Sequence, residues 1–103
     1  MIHFTYNHVT QNNKLEEYCN NRINDLINCN PSKIHCQMTL FRKFNERNVV
    51  KEVVEIDLSV EGGIKYISTG VESNFRKSTD FVFNQLEEQL SHLNVNEQEK
   101  ISA

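Results

Sequence analysis

Polar and apolar residues alternate from the start of the chain. Ile2, Phe4 and Tyr6 are interleaved with His3, Thr5 and Asn7, and a period of two predicts a half-buried strand. The polar stretch Thr10 to Asn13 then offers helix N-caps, with Thr10 and Asn12 foremost. The period changes next. Leu15, Tyr18, Cys19, Ile23, Leu26 and Ile27 recur at three and four residues and make one apolar helix stripe. Asn30-Pro31-Ser32 ends that helix, because the residue before a proline avoids the helical region. Alternation returns in Ile34, Cys36, Met38 and Leu40, with His35, Gln37, Thr39 and Phe41 on the opposite face. Phe44 to Asn48 reads as a polar hairpin loop. Val54, Ile56, Leu58 and Val60 then alternate with Glu55, Asp57 and Ser59 as a third strand. Glu61-Gly62-Gly63 makes a tight turn, and Ile64 to Val71 forms a fourth, less regular strand. Ser73 and Asn74 can cap a last helix whose buried stripe is Thr79, Val82, Phe83, Leu86, Leu90 and Leu93. Phe81 lies off that stripe, at an edge.

This order, β-α-β-β-β-α, predicts an α+β two-layer sandwich. The first crossover makes strands one and two parallel, and the two short connections that follow make strands two, three and four antiparallel. The expected sheet is mixed and four-stranded, in the order 1-2-3-4. Each helix has a single apolar stripe, so both helices pack on one sheet face. The other face is open and shows His35, Gln37, Thr39, Phe41, Glu55, Asp57 and Ser59. Residues 1–93 form one domain, and the polar stretch 94–103 is expected to be a frayed, flexible tail.

Composition narrows the function classes. At 103 residues with 38% hydrophobic side chains, the chain can bury one modest core. No apolar run approaches the roughly 20 residues that cross a bilayer, and Met1 to Thr10 lacks the basic-then-apolar order of a signal peptide, so a cytoplasmic location without membrane contact is expected. Cys19, Cys29 and Cys36 are odd in number and contain no C-x-x-C pair; they read as small buried thiols. His3, His8, His35 and His92 have no ligand-like spacing with them, and no metal site or cofactor is expected. No nucleophile elbow, phosphate-binding loop or H-E-x-x-H motif is present. Glu16-Glu17 and Glu87-Glu88 lie off the apolar stripes and read as solvated faces, since an acid/base pair needs a shielded pocket. The chain is expected to have no catalytic residue and no small-molecule substrate.

The cations are what stand out. Net charge is −3 and the isoelectric point about 5.8, which disfavours a general nucleic-acid coat protein, but a basic patch can sit on an acidic domain. Arg42, Lys43, Arg47 and Lys51 cluster about the hairpin between strands two and three, with Phe41 and Phe44 interleaved. Arg76 and Lys77 open the last helix, near the positive end of its macrodipole. Arg22 borders the stripe of the first helix, where its stem can lie on the core rim while the head reaches out. Guanidinium and ammonium groups gain most from a phosphate backbone, where binding releases condensed counterions. Phe41 and Phe44 beside them are candidates for stacking on unpaired bases. The competing reading is ordinary surface charge flanking a hairpin.

Several stretches together resemble one family. The opening Met1-Ile2-His3-Phe4-Thr5-Tyr6-Asn7-His8-Val9, followed by Leu15-Glu16-Glu17-Tyr18, is similar to its first strand and helix start. Gly62-Gly63 falls at its turn between strands three and four. Asn74-Phe75-Arg76-Lys77-Ser78-Thr79-Asp80 sits where it shows an Asp-Met-Tyr-Ala-Ala-Ile-Asp segment, with Asp80 identical and Asn74 and Phe75 similar in kind. Gln89-Leu90 continues the likeness. Over about residues 1 to 93 the chain resembles the ribosome hibernation-promoting factors, the family that includes the cold-shock ribosome-associated inhibitor. The resemblance implies a fold similar to double-stranded-RNA-binding domains and no enzymatic activity. It also implies a specific action, namely binding to the small ribosomal subunit and its 16S-type rRNA, in the channel of mRNA and tRNA anticodons, so that idle ribosomes of starved, stationary cells fall silent. Phosphate contacts would then come from Arg22, Arg42, Lys43, Arg47, Lys51, Arg76 and Lys77, of which Arg22 aligns with an often basic position. The chain resembles the short type, without the second, dimerising domain.

Two departures stand against this. Where the family's last helix carries several Lys or Arg, this chain has Gln85, Glu87, Glu88, Ser91 and His92, and Asp25 replaces a commonly basic position. Either the contact surface has shifted toward the 42–51 hairpin, or the domain is a protein-interaction module that uses its open sheet face or an edge strand. The RNA reading requires the cations, far apart in sequence, to gather on one side of the folded domain.

Overall fold

The computed structural model describes residues 2–26, 34–60 and 64–102. Its elements are β1 (Ile2–Tyr6), α1 (Asn13–Leu26), β2 (Ile34–Phe44), β3 (Val50–Val60), β4 (Ile64–Glu72) and α2 (Phe75–Ser102). The sheet runs β1-β2-β3-β4. β1 lies parallel to β2, with Ile2 beside Cys36 and Tyr6 beside Leu40. The β2–β3 and β3–β4 pairs are antiparallel. The α+β arrangement and strand order expected from the alternating pattern are those of the structure.

One face of the sheet makes the core. Cys36, Met38, Leu40, Val54, Ile56 and Leu58 point to it and form a single buried cluster with Leu15, Cys19 and Ile23 of α1 and Val82, Phe83 and Leu86 of α2. Both helices therefore cover the same face. Asn12 caps α1: its side-chain oxygen accepts the Leu15 N–H at 3.1 Å. Asn74 does the same for α2, accepting from Lys77 N–H at 2.8 Å. Phe81 is part-exposed off the α2 stripe. α2 runs on to Ser102, and 94–102 contains neither glycine nor proline. The turn at Glu61-Gly62-Gly63, the stop at Asn30-Pro31-Ser32 and Cys29 lie outside the described residues.

The start of α2 is fixed to the sheet by polar contacts. Ser78, fully buried, donates to the Glu52 carbonyl oxygen, and its hydroxyl accepts the Glu72 N–H at 3.1 Å. The Glu52 carboxylate accepts the Phe75 N–H at 3.2 Å, at the first residue of the helix. Gly70 of β4 makes this approach possible. A Cβ there would stand 3.0 Å from the Ser78 carbonyl carbon and nearer still to its oxygen.

Two features differ from the expectation. The β2–β3 ribbon is longer, because pairing continues through Arg42 beside Glu52, Lys43 beside Lys51 and Phe44 beside Val50. The polar loop is therefore confined to residues 45–49. Within it, the Asn45 side chain accepts the Arg47 N–H at 2.9 Å and the Val49 N–H at 3.0 Å. Asn48 takes a positive φ of 58°, which asparagine tolerates better than most residues. The open face is also less polar than expected. His35, Gln37, Glu55 and Asp57 are exposed on it, with Thr39 and Ser59 half-buried. Val53, however, is only 1% exposed, because Phe41 and Val71 flank it across the neighbouring strands.

Candidate nucleic-acid interface

The seven cations singled out by sequence fall into two groups. The first lies on the helical side. Arg22 of α1 reaches across to α2, where it donates to Asp80 Oδ1 at 3.2 Å and to Asn84 Oδ1 at 3.3 Å. It also lies 3.7 Å from a Glu87 carboxylate oxygen. The Tyr18 hydroxyl donates to the same Asp80 oxygen and accepts from Arg22 at 3.1 Å. Arg76 pairs with Asp80 at 3.7 Å, and its guanidinium carbon sits 3.4 Å from the centroid of the Tyr18 ring. Arg42 stands at the base of the ribbon. It pairs with Glu52 at 2.8 Å and lies 5.7 Å from the Phe75 ring centroid. Lys77, next to Arg76 in the first turn of α2, is exposed.

The second group is the ribbon end. Lys43 and Lys51 are direct cross-strand neighbours, and Arg47 is exposed in the loop between their strands. Among the described residues no carboxylate lies within ion-pair distance of any of the three. They line one shallow open depression with Phe44, Asn45, Glu46 and Val71, so Glu46 is the one carboxylate that borders it. The two aromatic candidates part company here. Phe41 is half-buried beside Val53, whereas Phe44 is 69% exposed.

The cations thus do not gather into a single uniform zone. Arg22, Arg42 and Arg76 are interleaved with Asp80, Glu87 and Glu52, while Lys43, Arg47 and Lys51 have no acidic partner among the described residues. The reason is topological. The helical arginines face carboxylates brought close by the packing of α1 on α2 and by cross-strand register, neither of which a charge count along the chain can show. Sequence reasoning passed over Tyr18, Glu52, Ser78 and Asp80 as structural partners. The one available signal was the polar Tyr18-x-x-x-Arg22 pair, whose members lie four residues apart on one helix face.

This interhelical cluster carries a testable consequence. Replacing Asp80 by alanine leaves the Tyr18 hydroxyl without its acceptor and two guanidinium groups without a shared counter-charge. The expected cost is about 1–3 kcal/mol, read as a lower midpoint in thermal unfolding, with Asp80→Asn in between because it keeps an oxygen for Tyr18. A midpoint for Asp80→Ala equal to that of the parent protein refutes the role assigned to the cluster.

Nothing else in the described residues resembles reaction machinery. Burial pushes the Cys19 and Cys36 thiols up to about 12, so both are protonated at neutral pH and neither is a nucleophile. Among the described residues, no group of three or more His, Cys, Asp or Glu could hold a metal ion, and no helix is long and apolar enough to cross a membrane.

Two of the three comparisons with known proteins return matches. The family model described as Sigma 54 modulation protein / S30EA ribosomal protein matches residues 2–96. Two solved structures share the fold. A ribosomal subunit interface protein from Coxiella burnetii superposes with a TM-score of 0.70 at 19% identity, over 91% of this chain and 97% of that one. The Thermus thermophilus Protein Y N-terminal domain superposes with a TM-score of 0.67 at 13% identity, over 87% of this chain and 93% of that one. Among curated proteins, no sequence matches.

Proposed function

We propose, from the premise that this chain belongs to the Sigma 54 modulation protein / S30EA ribosomal protein family, that it binds the small ribosomal subunit in the mRNA and tRNA channel and keeps idle ribosomes silent. The observation that carries this reading is the family match over residues 2–96. The structural likeness to a ribosomal subunit interface protein supports a ribosomal partner. The single gathered zone that the sequence reading required is not formed, because Arg22, Arg42 and Arg76 are paired with carboxylates, so the physical basis is centred on the ribbon end. Although the chain is net acidic at −3, Lys43, Arg47 and Lys51 at the ribbon end have no carboxylate within ion-pair distance among the described residues, and Lys77 adds an exposed cation on α2. Arg22, Arg42 and Arg76 supply guanidinium groups already held in place, which meet phosphates by exchanging part of their pairing with Asp80, Glu87 and Glu52. Such contacts position a protein on RNA without reading bases. Silencing by occupancy needs no catalytic group, and the protein acts where ribosomes work, in the cytoplasm.

Sedimentation through a sucrose gradient tests the proposal. The purified protein should travel with 30S or 70S particles at low salt and leave them as salt rises, because counterion release drives phosphate binding. Migration at the top of the gradient at every salt concentration removes the reading. It would favour the alternative, a protein-binding module built on the edge strand β4, where Ile67 is 67% exposed.

A further inference from the structure

We infer that the end of the β2–β3 ribbon is a clamp for unpaired RNA, in which Phe44 stacks on a base while Lys43, Lys51 and Arg47 hold the adjoining phosphates. The ligand class rests on the ribosomal reading above; the clamp itself rests on four observations. First, Phe44 is 69% exposed, the highest value among the large apolar side chains whose burial is described. A ring so placed leaves its π-face open to a ligand. Second, Lys43 and Lys51 stand directly opposite each other on adjacent strands. Like charges in that register repel, and among the described residues no carboxylate lies within ion-pair distance of either. Glu46 borders the same depression but pairs with none of the three cations, which leaves a net positive charge for an external anion. Third, the three cations and Phe44 border the same depression, together with Glu46; Phe44 projects from the opposite face of the ribbon to Lys43 and Lys51, so a single strand wrapped over the tip can meet all four. Fourth, the loop is preformed: the Asn45 side chain closes it through the Arg47 and Val49 amides, which lowers the ordering cost of binding.

The chemistry selects the ligand. Phosphodiester charge suits the cations, and an aromatic face suits a base that is not engaged in a helix. A duplex offers the phosphates but hides its base faces, so single-stranded or looped RNA is the fitting partner.

A fluorescence anisotropy titration with a short labelled oligoadenylate, beside the same strand in a duplex with oligouridylate, reads this directly. The single strand should bind more tightly than the duplex, and more weakly as salt rises. Phe44→Ala and Phe44→Leu should each weaken single-strand binding by roughly ten-fold, and Phe44→Tyr should bind like the parent. Retained affinity in Phe44→Leu means an apolar contact without stacking and overturns the clamp. So does equal binding of strand and duplex, or Phe44-dependent self-association in sedimentation velocity, which would make the tip a contact between copies. The gradient experiment separates this inference from its premise. Oligoadenylate binding that depends on Phe44, with no ribosome association, sinks the ribosomal reading and keeps the clamp. Ribosome association that survives to the same salt in Phe44→Ala keeps the ribosomal reading and sinks the clamp.

Discussion

Gly70→Ala should be among the most damaging single-methyl additions this domain can suffer. The added carbon would meet the backbone carbonyl of Ser78, and backbone, unlike the tip of a long side chain, cannot swing aside. Either α2 moves off β4 or the strand bends. Moving α2 also strains the hydrogen bonds that fix its first turn, from Ser78 to the Glu52 carbonyl and from the Glu72 amide to the Ser78 hydroxyl. Overpacking of this kind costs about 1–3 kcal/mol, occasionally more. In a domain of this size, each kcal/mol lowers the unfolding midpoint by roughly 4–8 °C. Calorimetry or circular dichroism melts measure it. A midpoint within a degree or so of the parent's would mean that the helix and strand are less closely apposed than described.

Reversing the ribbon cations should have the largest effect on binding. Lys43→Glu, Arg47→Glu and Lys51→Glu together remove three unpaired positive groups and add three negative ones. Every phosphate that is no longer neutralised lowers the slope of log affinity against log salt by roughly 0.7–0.9. The triple reversal therefore lowers it by roughly 2–3, which at moderate salt weakens ribosome association on the order of a hundredfold. The fold should hold, because none of the three belongs to the core cluster or pairs with a carboxylate among the described residues. The single change Lys43→Glu gives a sharper result. It turns a repelling cross-strand pair with Lys51 into an attracting one, worth about 0.2–1 kcal/mol of stability, while it weakens binding. Stability and affinity move in opposite directions, as they do when a surface is kept for a ligand at the expense of the fold. If the triple variant follows ribosomes at the parent's salt concentration, the contact surface lies elsewhere, and the arginines at the α1–α2 seam become the first candidates.

Much of the fold was legible because the core obeys simple periods. Cys36, Met38 and Leu40 alternate, Val54, Ile56 and Leu58 alternate, and both helices carry one stripe. The length of the ribbon was not legible. At Arg42 and Glu52 the helix side of the ribbon carries a charged pair against the start of α2, and beyond it Phe44 and Val50 are exposed, so the strands there have no buried side and lose the period-two signature. The site was only half legible. Charged residues could be counted, but not their partners. Arg22 and Asp80 lie 58 residues apart and meet only because α1 packs on α2. Phe41 and Phe44 look alike in sequence; register alone places one beside Val53 and leaves the other bare.

Glu52 serves two layers at once. Its carboxylate receives Arg42 from the ribbon and the first amide of α2, while its carbonyl receives the Ser78 hydroxyl. The projecting arm and the helical layer are therefore tethered at one residue. A load applied at the tip is delivered to the root of α2, so seating the arm on a large particle should stiffen amides well away from the point of contact, those of the helix's opening turn first.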